Sequence, residues 1–119
     1  MRSIHLLENL EFSDSGAHAQ PLLANPENRI IRFLLKPGQT LKEHSAPSSD
    51  VIIVVLQGRG IFSGREGQSR ELGPNTLVSY DQGEPHSVHA LAEELIFLAI
   101  LKGSPDSSAK SVGLMAGDE

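Results

Sequence analysis

The chain has 119 residues, one domain's worth, with 39% hydrophobic and 21% charged residues, no cysteine and a formal net charge of −5 at pH 7. The missing cysteine excludes a disulfide scaffold, a thiolate zinc site, an iron–sulfur cluster and a cysteine nucleophile. An acidic chain with no basic stripe, no Trp and a single Tyr, Tyr80, lacks both the charge and the stacking platform that a nucleic-acid partner needs.

Charge is uneven: residues 1–28 hold one basic and four acidic side chains, residues 103–119 one and three, and residues 29–102 eight of each. The longest apolar run, Leu95 to Leu101, is seven residues, far short of the ~20 that cross a bilayer. The first residues show no apolar signal core. The expected location is the cytoplasm, with no membrane partner.

Period-two patterning and turn signals divide the chain into short strands. His18 to Ala24 reads as a first strand, joined through Asn25-Pro-Glu-Asn28 to Arg29–Leu35. Upstream, Leu6 to Leu10 fits either one turn or a strand entering the sheet. Lys36-Pro37-Gly38 is a turn, Thr40 to Ala46 the next strand, and Val51 to Leu56 a mostly β-branched run closed by Gln57-Gly58. Ile61–Ser63 and Gln68–Leu72 flank Gly64-Arg-Glu-Gly67, a four-residue hairpin loop. Thr76–Tyr80, His86–Leu91 and Glu94–Leu101 complete the series. Turns every 8–12 residues between such strands predict an all-β sandwich or barrel. The resulting organisation is an N-terminal arm with strands (1–28), a barrel (29–102) and a polar tail (103–119).

Familiar catalytic motifs are absent. There is no G-x-G-x-x-G, Walker A, H-E-x-x-H or G-x-S-x-G, and Ser107-Ser-Ala-Lys110 matches S-x-x-K only by chance in a polar tail. His86 and His89 are three apart, so on a strand they face opposite sides and cannot share a metal. His89, His5 and His18 read as surface or interface positions. His44 is different: it precedes a strand pair whose hairpin returns the chain to His86, as a site in a barrel lumen requires.

Two segments carry a resemblance. Residues 37–58 resemble the first cupin motif, G-x5-H-x-H-x3-4-E-x6-G: Gly38, His44 and Gly58 match, Ala46 stands at the second histidine, and the glutamate position falls on Asp50 or Val51. Residues 81–90 resemble the second motif, P-x-G-x2-H-x3-N, through Gly83 and His86, with Asp81 for the proline and Ala90 for the asparagine. The short segment between the motifs is similar to that of small microbial, RmlC-like cupins. The resemblance, over about residues 29–102, implies a double-stranded β-helix (cupin or jelly-roll barrel).

It also implies a site. An intact cupin centre resembles three imidazoles and one carboxylate, able to hold Fe, Mn, Ni, Zn or Cu. Here His44, His86 and Asp50 make a two-histidine, one-carboxylate set for one divalent metal if Asp50 faces inward. If Val51 takes that place, two ligands remain and the pocket is apolar and metal-free. Two-residue alternation adds Ala46 and Val88 to the expected ligand pocket of His44 and His86, and Tyr80 stands near its mouth.

The expected function is small-molecule binding in the lumen. The alternatives are a metal-dependent oxygenase, isomerase or lyase acting on a small polar substrate, and a ligand-sensing accessory protein. Strands 29–35, 51–56 and 95–101 are apolar on both faces, and one lumen shelters only one face of each. The expected solution is a homodimer with an N-terminal strand crossing to the partner sheet. The competing one is residues 1–24 folding back over their own barrel.

Overall fold

The structure, a computed structural model, describes residues 1–103; the polar tail expected from Gly103 onward lies, past that residue, outside the described residues. Among the described residues, nine strands follow the turn signals closely. They are β1 (His18–Ala24), β2 (Asn28–Leu35), β3 (Thr40–His44), β4 (Val51–Gln57), β5 (Gly60–Ser63), β6 (Ser69–Leu72), β7 (Thr76–Tyr80), β8 (His86–Ala90) and β9 (Leu95–Lys102). The β5–β6 loop contains a 3-10 turn at Arg65–Gly67 in which Glu66 and Gly67 have left-handed φ of 56° and 71°. Leu6 to Leu10 belongs to no strand.

The strands form two antiparallel sheets, a five-stranded one in the order β1-β2-β9-β4-β7 and a four-stranded one in the order β3-β8-β5-β6. Their inner faces supply one core. Alternation assigns it: Ile31, Phe33 and Leu35 from β2, Val51, Ile53 and Val55 from β4, and Leu95, Phe97, Ala99 and Leu101 from β9 all point inward. Phe97 lies at its middle, stacked on Phe33 at 5.2 Å and meeting Phe62 edge-on at 5.6 Å.

The outer face of the five-stranded sheet is covered in part by the chain's own N-terminus. β1 pairs with β2 of the same chain, and residues 5–9 cross over Arg32, whose side chain is 3% exposed. No carboxylate touches this guanidinium among the described residues. Its Nη1 and Nη2 donate to the carbonyls of Leu6, Glu8 and Asn9 at 3.0–3.2 Å, and Nε and Nη2 share the side-chain oxygen of Gln20 at 2.9 and 2.6 Å. On β2 and β9, Leu34 and Ile96 are fully buried (both 0% exposed). Farther along the face Ile52 and Leu77 stay exposed, and Ile30, Val54 and Ile100 half-buried. Part of the cover is therefore the fold-back in cis that the sequence allows. No helix among the described residues is long and apolar enough to cross a membrane.

Candidate functional site

β3 and β8 are hydrogen-bonded neighbours, and the register sets Leu41 opposite Val88 and His44 opposite His86. Three steps on β3 thus match two on β8. This bulge turns His44 to the same inward side as Leu41, which strict alternation forbids. The two rings meet at 4.4 Å between centroids, tilted by 59°. They line one pocket with Leu41, Val51, Ile53 and Phe97. Its free volume is about 10 Å3, room for about one water. His86 is buried and His44 half-buried, so His44 stands at the opening.

Both imidazoles have a fixed tautomer. Nδ1 of His44 lies 2.7 Å from the Lys42 carbonyl oxygen, and Nδ1 of His86 lies 2.8 Å from that of Glu84. A carbonyl only accepts, so each Nδ1 carries the proton and each Nε2 keeps its lone pair. Burial, first of all, holds both pKa values below the ordinary histidine range. The backbone hydrogen bonds oppose that shift in both rings, and for His44 the neighbouring His86 adds to it. The pair is neutral near pH 7 and presents two acceptors.

The loops behind the histidines are tied together. The Gly83 N–H donates to the Ala46 carbonyl at 2.8 Å, where the φ of +77° at Gly83 favours glycine. Gly58, which ends the first motif, has φ of +79°, and a Cβ there would stand 2.1 Å from the Glu94 carbonyl oxygen.

Asp50 does not join the histidines. It is exposed, and its Oδ1 accepts the Gln82 backbone N–H at 2.8 Å; Val51 instead lines the pocket, 3% exposed. The expected two-histidine, one-carboxylate set is therefore corrected: no group of three His, Cys, Asp or Glu able to hold a metal exists among the described residues. Ala46 and Val88 do face inward, but into the packed core and not onto the pocket wall.

Tyr80 is also displaced from the expected place. It stands behind His86, stacked on it at 4.4 Å and 14°, outside the pocket both histidines line. Of the other histidines, His89 is exposed with Nδ1 2.7 Å from the Thr40 hydroxyl, and His5 and His18 lie beside Glu8 and Glu11. The sequence reading missed Leu41, Ile53 and Phe97 as pocket walls. Inward alternation on β4 and β9 could have found the last two; Leu41 depends on the bulge.

A cupin-domain profile matches residues 31–101. No curated protein sequence matches the chain. Among solved structures, an RmlC-like cupin protein from Desulfovibrio desulfuricans is 28% identical with a TM-score of 0.76, covering 84% of this chain and 95% of its own. A Klebsiella pneumoniae protein with a double-stranded β-helix domain is 17% identical, with a TM-score of 0.81 and coverages of 87% and 91%. A Thermus thermophilus protein is 21% identical, again with a TM-score of 0.81, over 87% and 98%.

Proposed function

The chain belongs to the cupin-domain family and has its double-stranded β-helix fold, and from that premise we propose that it binds a small hydrogen-bond-donating molecule at the mouth of the barrel, on His44 and His86. The observation that carries this reading is the pair of Nε2 lone pairs left free by two carbonyl-fixed imidazoles. A volume of about 10 Å3 admits a donor group, not a whole substrate, so the ligand's body lies outside, against half-buried His44.

The donor set does not fit a resident metal of the full cupin kind. Ala46 and Val51 replace a histidine and the carboxylate, and both are buried among apolar side chains. A second reading keeps one supporting observation: metal-bound histidines characteristically hold their other ring nitrogen on a carbonyl. On that reading two imidazoles hold a divalent metal whose remaining donors come from substrate or water, as in an oxygenase, isomerase or lyase.

Elemental analysis and native mass spectrometry of untagged protein separate the two. Substoichiometric metal with a small-molecule adduct, lost in the His44→Ala, His86→Ala double variant, supports the binding module. One metal per chain overturns the metal-free reading in favour of the enzyme. Binding that is indifferent to the double variant removes the site altogether.

We further propose a homodimer that covers Ile52, Leu77 and Ile100. The expected result is a species of twice the 12.8 kDa chain mass in sedimentation, reduced to a monomer by Leu77→Lys. A wild-type monomer at micromolar concentration overturns it.

A further inference from the structure

A hollow of about 320 Å3 opens on the outer face of the five-stranded sheet, beside the N-terminal arm. Ile4 and Leu6 of the arm, Leu22 of β1, Ile30 of β2 and Leu98 of β9 line it, and Arg2 is the one polar residue on its wall. Ile4 and Leu6 are 48% and 37% exposed, so the hollow presents apolar surface to water. Arg2 makes no ion pair or hydrogen bond among the described residues.

The last described residue sets the following segment beside this hollow. The Gly103 N–H donates to the Glu27 carbonyl at 2.9 Å, and a Cβ on Gly103 would stand 2.0 Å from the Asn25 carbonyl oxygen. The chain thus leaves β9 packed on the turn that joins β1 to β2. Lys102 pairs with Asn28, so Ile30 is two residues along β2 from the exit, a rise of about 7 Å.

Residues 104–119 lie outside the described residues, but their sequence matches the hollow. Ser104 to Ser111 carries no large apolar side chain; Val112, Leu114 and Met115 follow, then Asp118 and Glu119. The nine residues from Gly103 to Val112 span about 15–18 Å as a random coil and at most about 30 Å when extended. The hollow is worth roughly ten waters of liquid volume, and Val112, Leu114 and Met115 bring about eleven side-chain non-hydrogen atoms. A tether of this length holds its apolar cluster at about millimolar effective concentration, far above a second copy in micromolar solution.

We propose that the hollow is a docking site for the chain's own Val112–Met115. Leu114 and Met115 seat on Ile4, Leu6, Leu22 and Leu98, and Asp118 and Glu119 face Arg2. The seated segment then backs the arm whose Leu6 and Glu8 carbonyls Arg32 holds.

The test uses the full chain with 13C-labelled methionine methyls, because Met1 and Met115 are its two methionines. The expected result is nuclear Overhauser contacts from the Met115 methyl to leucine and isoleucine methyls, unchanged by tenfold dilution. Leu6→Asp, at an exposed position, and Leu114→Asp, outside the barrel, should each abolish the docked signature while the barrel amides stay in place. Since the chain has no cysteine, Ile4→Cys with Leu114→Cys should cross-link within one chain. The rate should exceed that of Ser48→Cys with Leu114→Cys about tenfold or more. Ser48 is exposed and also close to the exit, since the Ser49 hydroxyl accepts the Lys102 N–H. Arg2→Gln should slow the first cross-link about two- to threefold, the loss of one exposed charge pair. Equal rates for the two cysteine pairs overturn the proposal, by showing an undirected tether. Cross-links only between chains also overturn it, by giving the hollow to a second copy. So does a solvent-like Met115 methyl with an amphiphile adduct in native mass spectrometry, which gives the hollow to a foreign ligand.

Discussion

The two faces of the five-stranded sheet use the same strands and solve opposite problems. On β2, Ile31, Phe33 and Leu35 meet the other sheet, whereas Ile30 and Arg32 meet the N-terminal arm. The inner face is packed until about 10 Å3 remains beside the histidines. Beneath the arm, a hollow of about 320 Å3 stays open among Ile4, Leu6, Leu22, Ile30 and Leu98. Side-chain interlock holds the first face. A cation gripping backbone carbonyls holds the second. The inner face is thus specified by shape and the outer one by a few directed bonds, which makes the outer face the one able to open.

The largest effect should come from breaking the inner face. Phe97→Ala removes a ring that is 0% exposed and touches Phe33 and Phe62, and should cost about 3–5 kcal/mol, read from the urea midpoint. A loss under about 1 kcal/mol would mean that the core is not centred there.

Arg32→Met tests the outer face. It deletes every bond to Leu6, Glu8 and Asn9 and should cost about 2–3 kcal/mol. It should also release the arm, seen as faster proteolysis within residues 1–17 while the barrel resists. Equal protection of the arm in both proteins would show that apolar contacts alone hold it.

The smallest effect is a pH dependence confined to the inner face. His44 and His86 have folded pKa values below the unfolded value of about 6.5. The unfolded chain therefore binds more protons as pH falls through that value. Their stabilising neutrality is complete above about 6.5 and is lost progressively below it, toward the folded pKa values. Tm should fall between pH 7.5 and 5 in wild type and fall less in His44→Ala, His86→Ala. Parallel curves would mean that another group governs the acid limb.

The strands were legible because β-branched runs and Gly, Pro and Asn turns mark them locally, and Gly38, Gly58 and Gly83 have the positive φ that such turns require. The meeting of His44 with His86 was legible from the motif spacing. Three features were not. The choice between Asp50 and Val51 rests on one residue of register, and a bulge on β3 alters register where alternation predicts none. Arg32 reads as a polar interruption in an apolar strand, because its partners are carbonyls, which every residue has. Tyr80 reads as a rim residue because nothing local signals a stack on His86.

The order of the strands along the chain also bears on how the protein is made. β9 is the last described strand, yet it sits in the middle of its sheet, between β2 and β4. Asn28 pairs with Lys102 and Leu35 with Leu95, so that ladder closes only after almost the whole described sequence has been synthesised. Until then β2 and β4 expose apolar edges on a nascent chain. Such distant pairing places folding in the millisecond-to-second range. A ribosome pausing before Leu95 would therefore hold a chain with no closed barrel and two strands open to aggregation.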